Sequence, residues 1–249
     1  MAKTLVALAL AIFSLCAQAQ DRRTYAVLSL VGDRLLVVQR EPSVGSHLDK
    51  NMRIFVDLPD NSIDRAVVLA VDDELRRVNP RTTPVLLASR DIRLYNAASL
   101  NADQKDGIAR VFAAVKPVLA GTSATHLVLV TKHRHRAMLR MDDGHVGSGT
   151  LEGVGFYVDH GTFTRSALQT DAERGFIAPF TYLRIALIEI ATGRVVAEER
   201  VIGSEAVSPD VGSAANAWRL LTEEQKVERL TRVIRDVTSK NIPRVLAQR

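Results

Sequence analysis

Residues 125–161, THLVLVTKHRHRAMLRMDDGHVGSGTLEGVGFYVDHG, constrain the fold more than any other stretch. The segment begins as an apolar strand, turns strongly basic, and reverses at Asp143-Gly144. It returns through Gly147, Gly149, Gly153 and Gly155 to the apolar residues 154–158. Asp-Gly between alternating segments is a strong hairpin signal, because a type I′ turn needs positive φ at both central residues. A turn at Asp143-Gly144 pairs Asp142 with His145, His135 with Glu152 and His133 with Val154. Side chains alternate across a strand. His133, His135 and Glu152 then share one face. Lys132, Arg134, Arg136 and Arg140 share the other, opposite Gly155, Gly153, Leu151 and Gly147.

Each face suggests a chemistry. His-x-His beside a carboxylate supplies nitrogen and oxygen ligands suited to zinc, iron or manganese, with positions left open for water. The basic face suits an anion. Arginine grips phosphate or carboxylate with two parallel donors, and bare glycine backbone leaves room for a ligand. A third reading is a solvated charged edge that blocks strand-to-strand aggregation. The glycines are not a phosphate loop, since no helix follows them to supply its dipole. Asp142-Asp143-Gly144-His145 has a hydrolase-like spacing but is more simply the turn. Phe156 and Tyr157 are too few for a base-stacking platform, so no nucleic-acid partner is expected.

The amino terminus bounds where the chain works. Lys3, the apolar run 5–15 and Ala17-Gln18-Ala19 form a cleavable signal peptide, residues 1–19. Cys16 follows Leu15 rather than a small residue, which argues against a lipoprotein signal. It is the only cysteine, so the mature chain has no disulfides, thiolate nucleophile or cysteine metal site. About 230 mature residues suffice for a core without cross-links. No later run is long enough to span a membrane. The expected location is a Gram-negative periplasm. Lysine and arginine total 33 against 28 acidic residues, which falls to 32 against 28 without Lys3. The excess is local, centred on residues 132–140.

Along the chain, residues 24–31 and 34–39 predict a first hairpin across Gly32-Asp33. Gly32-Asp33-Arg34-Leu35 is similar to the first block of the SGNH hydrolases, but Arg34 stands where they carry serine. Residues 52–56 predict a short strand. Ile63, Val67, Ala70, Val71, Leu75 and Val78 predict an amphipathic helix with Ser62 as N-cap, stopped by Asn79-Pro80. A strand at 85–89 follows. Asn101 and Gln104 open the next helix in a capping-box pattern, and Pro117 should kink or shorten its last turn. Residues 162–179 lack a clear period and predict a surface loop. Residues 180–190 and 194–202 predict a hairpin across Ala191-Thr192-Gly193, and residues 204–218 a polar connection. Thr222 and Gln225 predict a capping box for a final helix, which Pro243 should break.

The hairpin LRIALIEIATGRVVAEERV and the approach HLVLVTKHR after Gly121 carry a resemblance. With the order of elements around them, they resemble the α/β domain of the TolB amino-terminal, CsgG and LpoB-type proteins. The likeness covers residues 25–201 in pattern and is specific over some twenty residues. It implies a binding or assembly module rather than an enzyme. The chain departs from that group by lacking a lipobox and by its glycine-rich return strand. The expected fold is an α+β or α/β sandwich: a mixed, largely antiparallel sheet of hairpins with helices packed on it. Residues 20–249 are expected to form a single periplasmic domain ending in a helix. The expected function is non-enzymatic binding or envelope assembly through the basic hairpin, without cofactor, toward an envelope protein or anionic envelope component. The alternative is a zinc- or iron-dependent hydrolase at His133, His135 and Glu152.

Overall fold

Apolar residues that alternate have become strands, and those that recur every three or four residues have become helices. The structure, a computed structural model, describes residues 23–41, 50–58, 60–100, 105–141, 144–164, 173–209 and 216–248. The expected signal peptide, Asn101 with Gln104, and Asp142 with Asp143 lie outside these residues. The first elements are β1 (Tyr25–Leu30), β2 (Arg34–Gln39), β3 (Met52–Asp57), α1 (Ser62–Val78), β4 (Val85–Leu87), α2 (Ile92–Leu100) and α3 (Lys105–Leu119). Then come β5 (His126–Lys132), β6 (Arg134–Arg136), β7 (Leu139–Met141), β8 (Gly144–Val146), β9 (Thr150–Thr164), β10 (Glu173–Glu189), β11 (Val195–Ser204) and α4 (Glu223–Ala247). The result is a mixed α/β fold built on a nine-stranded sheet, with β7 and β8 as a separate two-stranded ladder.

β10 is the spine. It pairs antiparallel with β9 through Tyr182 and with β5 from Leu183 onward, while β11 pairs with Phe180–Ile188 throughout. β9 and β5 therefore take one flank of β10 in succession, and β11 takes the other. β1 lies parallel to β5, and β2 parallel to β9. β1 and β2 thus run in the same direction, joined through Val31-Gly32-Asp33. The expected hairpin between them does not form, because each strand finds a long-range partner with more apolar surface to bury. β4 flanks β1 and β3 flanks β2 on the outer margin.

Alternation sends side chains to three cores. Val27, Val128, Val130, Phe156, Leu183, Ile185 and Leu187 pack under α1 and α4. Ala26, Leu28, Leu127, Leu129, Ala186 and Ile188 pack on the opposite face under α2 and α3. Beside the second core, Leu36, Val38, Tyr157, Phe180 and Tyr182 are covered by Ala137, Leu139 and Leu151 of the central hairpin. Gly155 permits this crowding: a Cβ there would stand 1.8 Å from the Leu36 carbonyl oxygen.

Several local expectations change. Residues 173–179, expected as loop, extend β10, and Phe176, Ile177 and Ala178 are fully buried. Pro179 is tolerated because its carbonyl accepts from Glu205 N–H on the β11 flank. Its missing N–H faces the same way and is not needed by the β9 ladder. Asn61, not Ser62, caps α1, in a left-handed conformation at φ 53°. α4 has the expected Thr222–Gln225 capping box but runs through Pro243 to Ala247. Burial of Ile242 and Val245 outweighs the lost helix bond there. α3 ends at Leu119, just past Pro117. α2 was not anticipated.

Candidate functional site

Two polar constellations stand out, one buried and one exposed. The buried one closes the carboxyl end of β1. Asp64, in the first turn of α1, turns its carboxylate toward that end. Its Oδ1 accepts from Ser29 Oγ (2.5 Å), Val31 N–H (2.9 Å) and Gly32 N–H (3.1 Å). Its Oδ2 accepts from the Tyr95 hydroxyl of α2 at 2.6 Å. Burial, then the Asp64 bond, pushes the Tyr95 phenol far above its ordinary range. Four donors, from β1, the β1–β2 connection and α2, hold this carboxylate in place. The constellation is a latch between elements. Asp33, next along the chain, accepts from Lys132 Nζ and, at 3.0 Å, from Arg34 Nε. Arg34, at the position of the hydrolase serine, also lies over the Phe55 ring, 5.2 Å from its centroid.

The exposed constellation lies on the central hairpin, which is two short ladders rather than one long arm. In the first, Arg134 pairs with Glu152, His135 with Leu151 and Arg136 with Thr150. In the second, Leu139 pairs with Val146, Arg140 with His145 and Met141 with Gly144. The second register makes Gly144 a ladder residue opposite Met141 rather than the second residue of the expected Asp143-Gly144 turn. The first register stands one residue from the expected one, since Glu152 lies opposite Arg134 rather than His135. A one-residue slip carries a side chain to the other face. The tip folds back on the sheet. Leu139 is fully buried, Met138 N–H donates to Tyr182 Oη (2.8 Å), and Ser148 N–H donates to Tyr157 Oη (3.1 Å). Burial raises both phenols, Tyr182 to about 12.

The slip redistributes the expected site residues. Lys132 leaves the basic face: it is buried at 7 % exposure, bonded to Asp33, with its stem 3.1 Å from where a Gly153 Cβ would stand. The glycine makes room for this lysine rather than for a ligand. Arg134, Arg136 and Arg140 are exposed. Arg134 Nη2 lies 3.4 Å from Thr150 Oγ1, and Arg53 of β3 donates to the same hydroxyl (2.8 Å) and to the Thr150 carbonyl (2.9 Å). Two guanidiniums from separate strands therefore meet at Thr150, with Arg136 directly across the ladder. Arg140 stands apart on β7, its backbone N–H bonded to Ser204 Oγ. Arg53 lies 97 residues from Thr150 in sequence, and no local pattern announces the meeting.

The expected metal triad does not assemble in this register. Glu152 faces Arg134 instead of His135. His133 is 4 % exposed whereas His135 is exposed, although their ring centroids are 5.7 Å apart. Among the described residues, no group of three His, Cys, Asp or Glu side chains is placed to share a metal.

No described helix is long and apolar enough to cross a membrane. No protein-family model matches the chain, and no curated protein does. Among solved structures, it is similar to the hypothetical protein CT253 from Chlamydia trachomatis, with 12% identity, TM-score 0.36, and coverage of 91% of this chain and 99% of that one. A neuraminyllactose-binding hemagglutinin homolog from Helicobacter pylori matches at 7% identity and TM-score 0.35, over 90% and 81%. Protein XCC0632 from Xanthomonas campestris, of family model DUF330, matches at 9% identity and TM-score 0.28, over 90% and 84%. Scores this low establish neither a shared fold nor a shared function.

Proposed function

We propose that this chain is a non-enzymatic binding or assembly protein of the periplasm that engages an anionic envelope component through the arginines around Thr150. The supporting observation is the convergence of Arg53 and Arg134 on Thr150, with Arg136 opposite. Glu152, opposite Arg134, offsets part of the positive charge there, and an anion with several oxygens accepts paired donors from the guanidiniums around it. Arg140, exposed on the separate β7–β8 ladder, stands apart from this cluster. The resemblance of residues 183–201 to the TolB, CsgG and LpoB-type hairpin agrees with a binding role, and the signal-like residues 1–19 agree with export.

The test is co-sedimentation of the mature chain with purified peptidoglycan sacculi and with vesicles bearing anionic phosphate headgroups. Retention by at least one probe, released as salt rises, is expected, because ionic strength screens exposed charge. Retention by neither, or retention indifferent to salt, contradicts the reading.

The proximity of the His133 and His135 rings keeps one alternative testable, a zinc- or iron-dependent hydrolase at His133, His135 and Glu152. Stoichiometric metal in purified protein that is lost in His133→Ala would favour that enzyme over the binding reading.

A further inference from the structure

On the far side of the sheet from the hairpin, α1 and α4 pack against each other and leave a cleft of about 250 Å³ between them. The sequence of α1 opens it. Val67, Val71 and Leu75 face the core, whereas Ala66 and Ala70, one turn apart, keep the flank toward α4 low. Arg65, Leu69 and Asp73 rise on the same flank, and Thr231 and Arg235 of α4 form the facing wall.

The charges of the cleft differ from their neighbours. On the same two helices, Arg76 is held by Asp72, Arg77 by Glu74, Arg229 by Glu205 and Arg232 by Glu228. Among the described residues, Arg65, Arg235 and Asp73 have no such partner, and all three are exposed. Thr231 Oγ1 spends its proton on the Val227 carbonyl at 2.8 Å, so its oxygen is left to accept.

These groups describe a ligand with ends of opposite charge. Paired guanidiniums suit a carboxylate, Asp73 suits an ammonium, and the Thr231 oxygen suits an amide N–H between them. Leu69, 45% exposed, offers apolar contact above Ala66 and Ala70. Arg65 and Asp73 are eight residues apart on one helix, about 12 Å along its axis. Helical side chains lean alike toward the amino terminus, which preserves that separation. An extended peptide of three residues spans about 10 Å, and the arginine side chain closes the remainder. A free amino acid is too short to reach both ends. The cleft is also smaller than the pockets of about 300–1,000 Å³ that enclose drug-sized ligands, which disfavours a longer peptide.

We infer that the α1–α4 cleft binds a short peptide with free ends, about three residues long, its carboxylate on Arg65 and Arg235 and its ammonium at Asp73.

Isothermal titration calorimetry of the mature chain with the tripeptide Ala-Leu-Ala tests it. The free-ended peptide is expected to bind at least about tenfold more tightly than its N-acetylated or carboxamide form. Arg65→Gln/Arg235→Gln is expected to weaken the free peptide by a similar factor and to lose the preference for carboxylate over carboxamide. Asp73→Asn is expected to bind the free and acetylated peptides alike. All three positions are exposed, so both variants should keep the wild-type urea midpoint. Absence of binding by the free peptide at millimolar concentration overturns the inference. So do blocked peptides that bind as well as the free one, or substitutions that leave its affinity unchanged. Inorganic phosphate bound more tightly than the peptide overturns it too, since the cleft would then be a plain anion site. Both variants leave Arg53, Arg134 and Arg136 in place, so the outcome is independent of anion binding at the hairpin.

Discussion

The Tyr95 hydroxyl donates to the Asp64 carboxylate at 2.6 Å, joining α2 on one face of the sheet to α1 on the other around the end of β1. Through the same carboxylate, Ser29, Val31 and Gly32 fix how the chain leaves β1 toward β2. Tyr95→Phe deletes one donor and leaves a buried charged oxygen undersupplied, a loss of about 1–3 kcal/mol. Asp64→Ala strands buried donors on three elements and is expected to cost more than Tyr95→Phe. Urea midpoints measure both. Equal midpoints for wild type and Asp64→Ala would show that the latch carries no stability.

Alkaline pH should loosen the central hairpin from the sheet. Burial raises the folded pKa of Tyr182 to about 12 from the ordinary 10.0. A raised folded pKa means that the folded state holds its proton more tightly. That contribution is complete below the unfolded value and is lost as pH rises from 10.0 toward about 12. Tyr157 is shifted in the same direction. Stability followed by urea unfolding should fall across this window, and should fall less in Tyr182→Phe.

Much of the core was legible in the sequence. Residues 183–188 alternate in apolar character, and both faces of that strand are covered. The hairpin across Thr192-Gly193 and the Thr222–Gln225 cap depend on neighbours in sequence, so local pattern sufficed for them. Three features escaped for physical reasons. Gly32-Asp33 signals a chain reversal, but β1 and β2 are drawn to β5 and β9, more than ninety residues away. Gly175 and Pro179 read as strand breakers, yet they lie in β10 and Pro179 turns its missing donor from the β9 ladder. Met141 pairs with Gly144, which takes Gly144 out of the expected turn and into the ladder, and the register that follows sets Glu152 opposite Arg134 rather than His135. The arginine cluster was half visible: Arg134 and Arg136 stand out as charge, whereas Arg53 arrives only through the tertiary fold.

Leu187 reports on the spine. It is fully buried in β10, between Val128 of β5 and Ala197 of β11. Leu187→Ala should destabilise by about 2–5 kcal/mol, the transfer term plus the cavity left behind. An unchanged urea midpoint would contradict the central place given to that strand.

The central claim is that the arginines around Thr150 recognise an anion, and the most direct measurement is the salt dependence of binding in paired variants. Wild type, Arg134→Gln/Arg136→Gln and His133→Ala/His135→Ala are titrated against whichever anionic envelope probe retains the wild-type chain, at low and high salt. Both substituted arginines are exposed, so their loss should leave stability within about 1 kcal/mol of wild type. Affinity of the arginine variant should fall at least about tenfold at low salt, with a shallower response to added salt than wild type. The histidine variant, where it remains folded, should bind as wild type does. An arginine variant that binds as tightly as wild type, with the same salt response, would contradict the account.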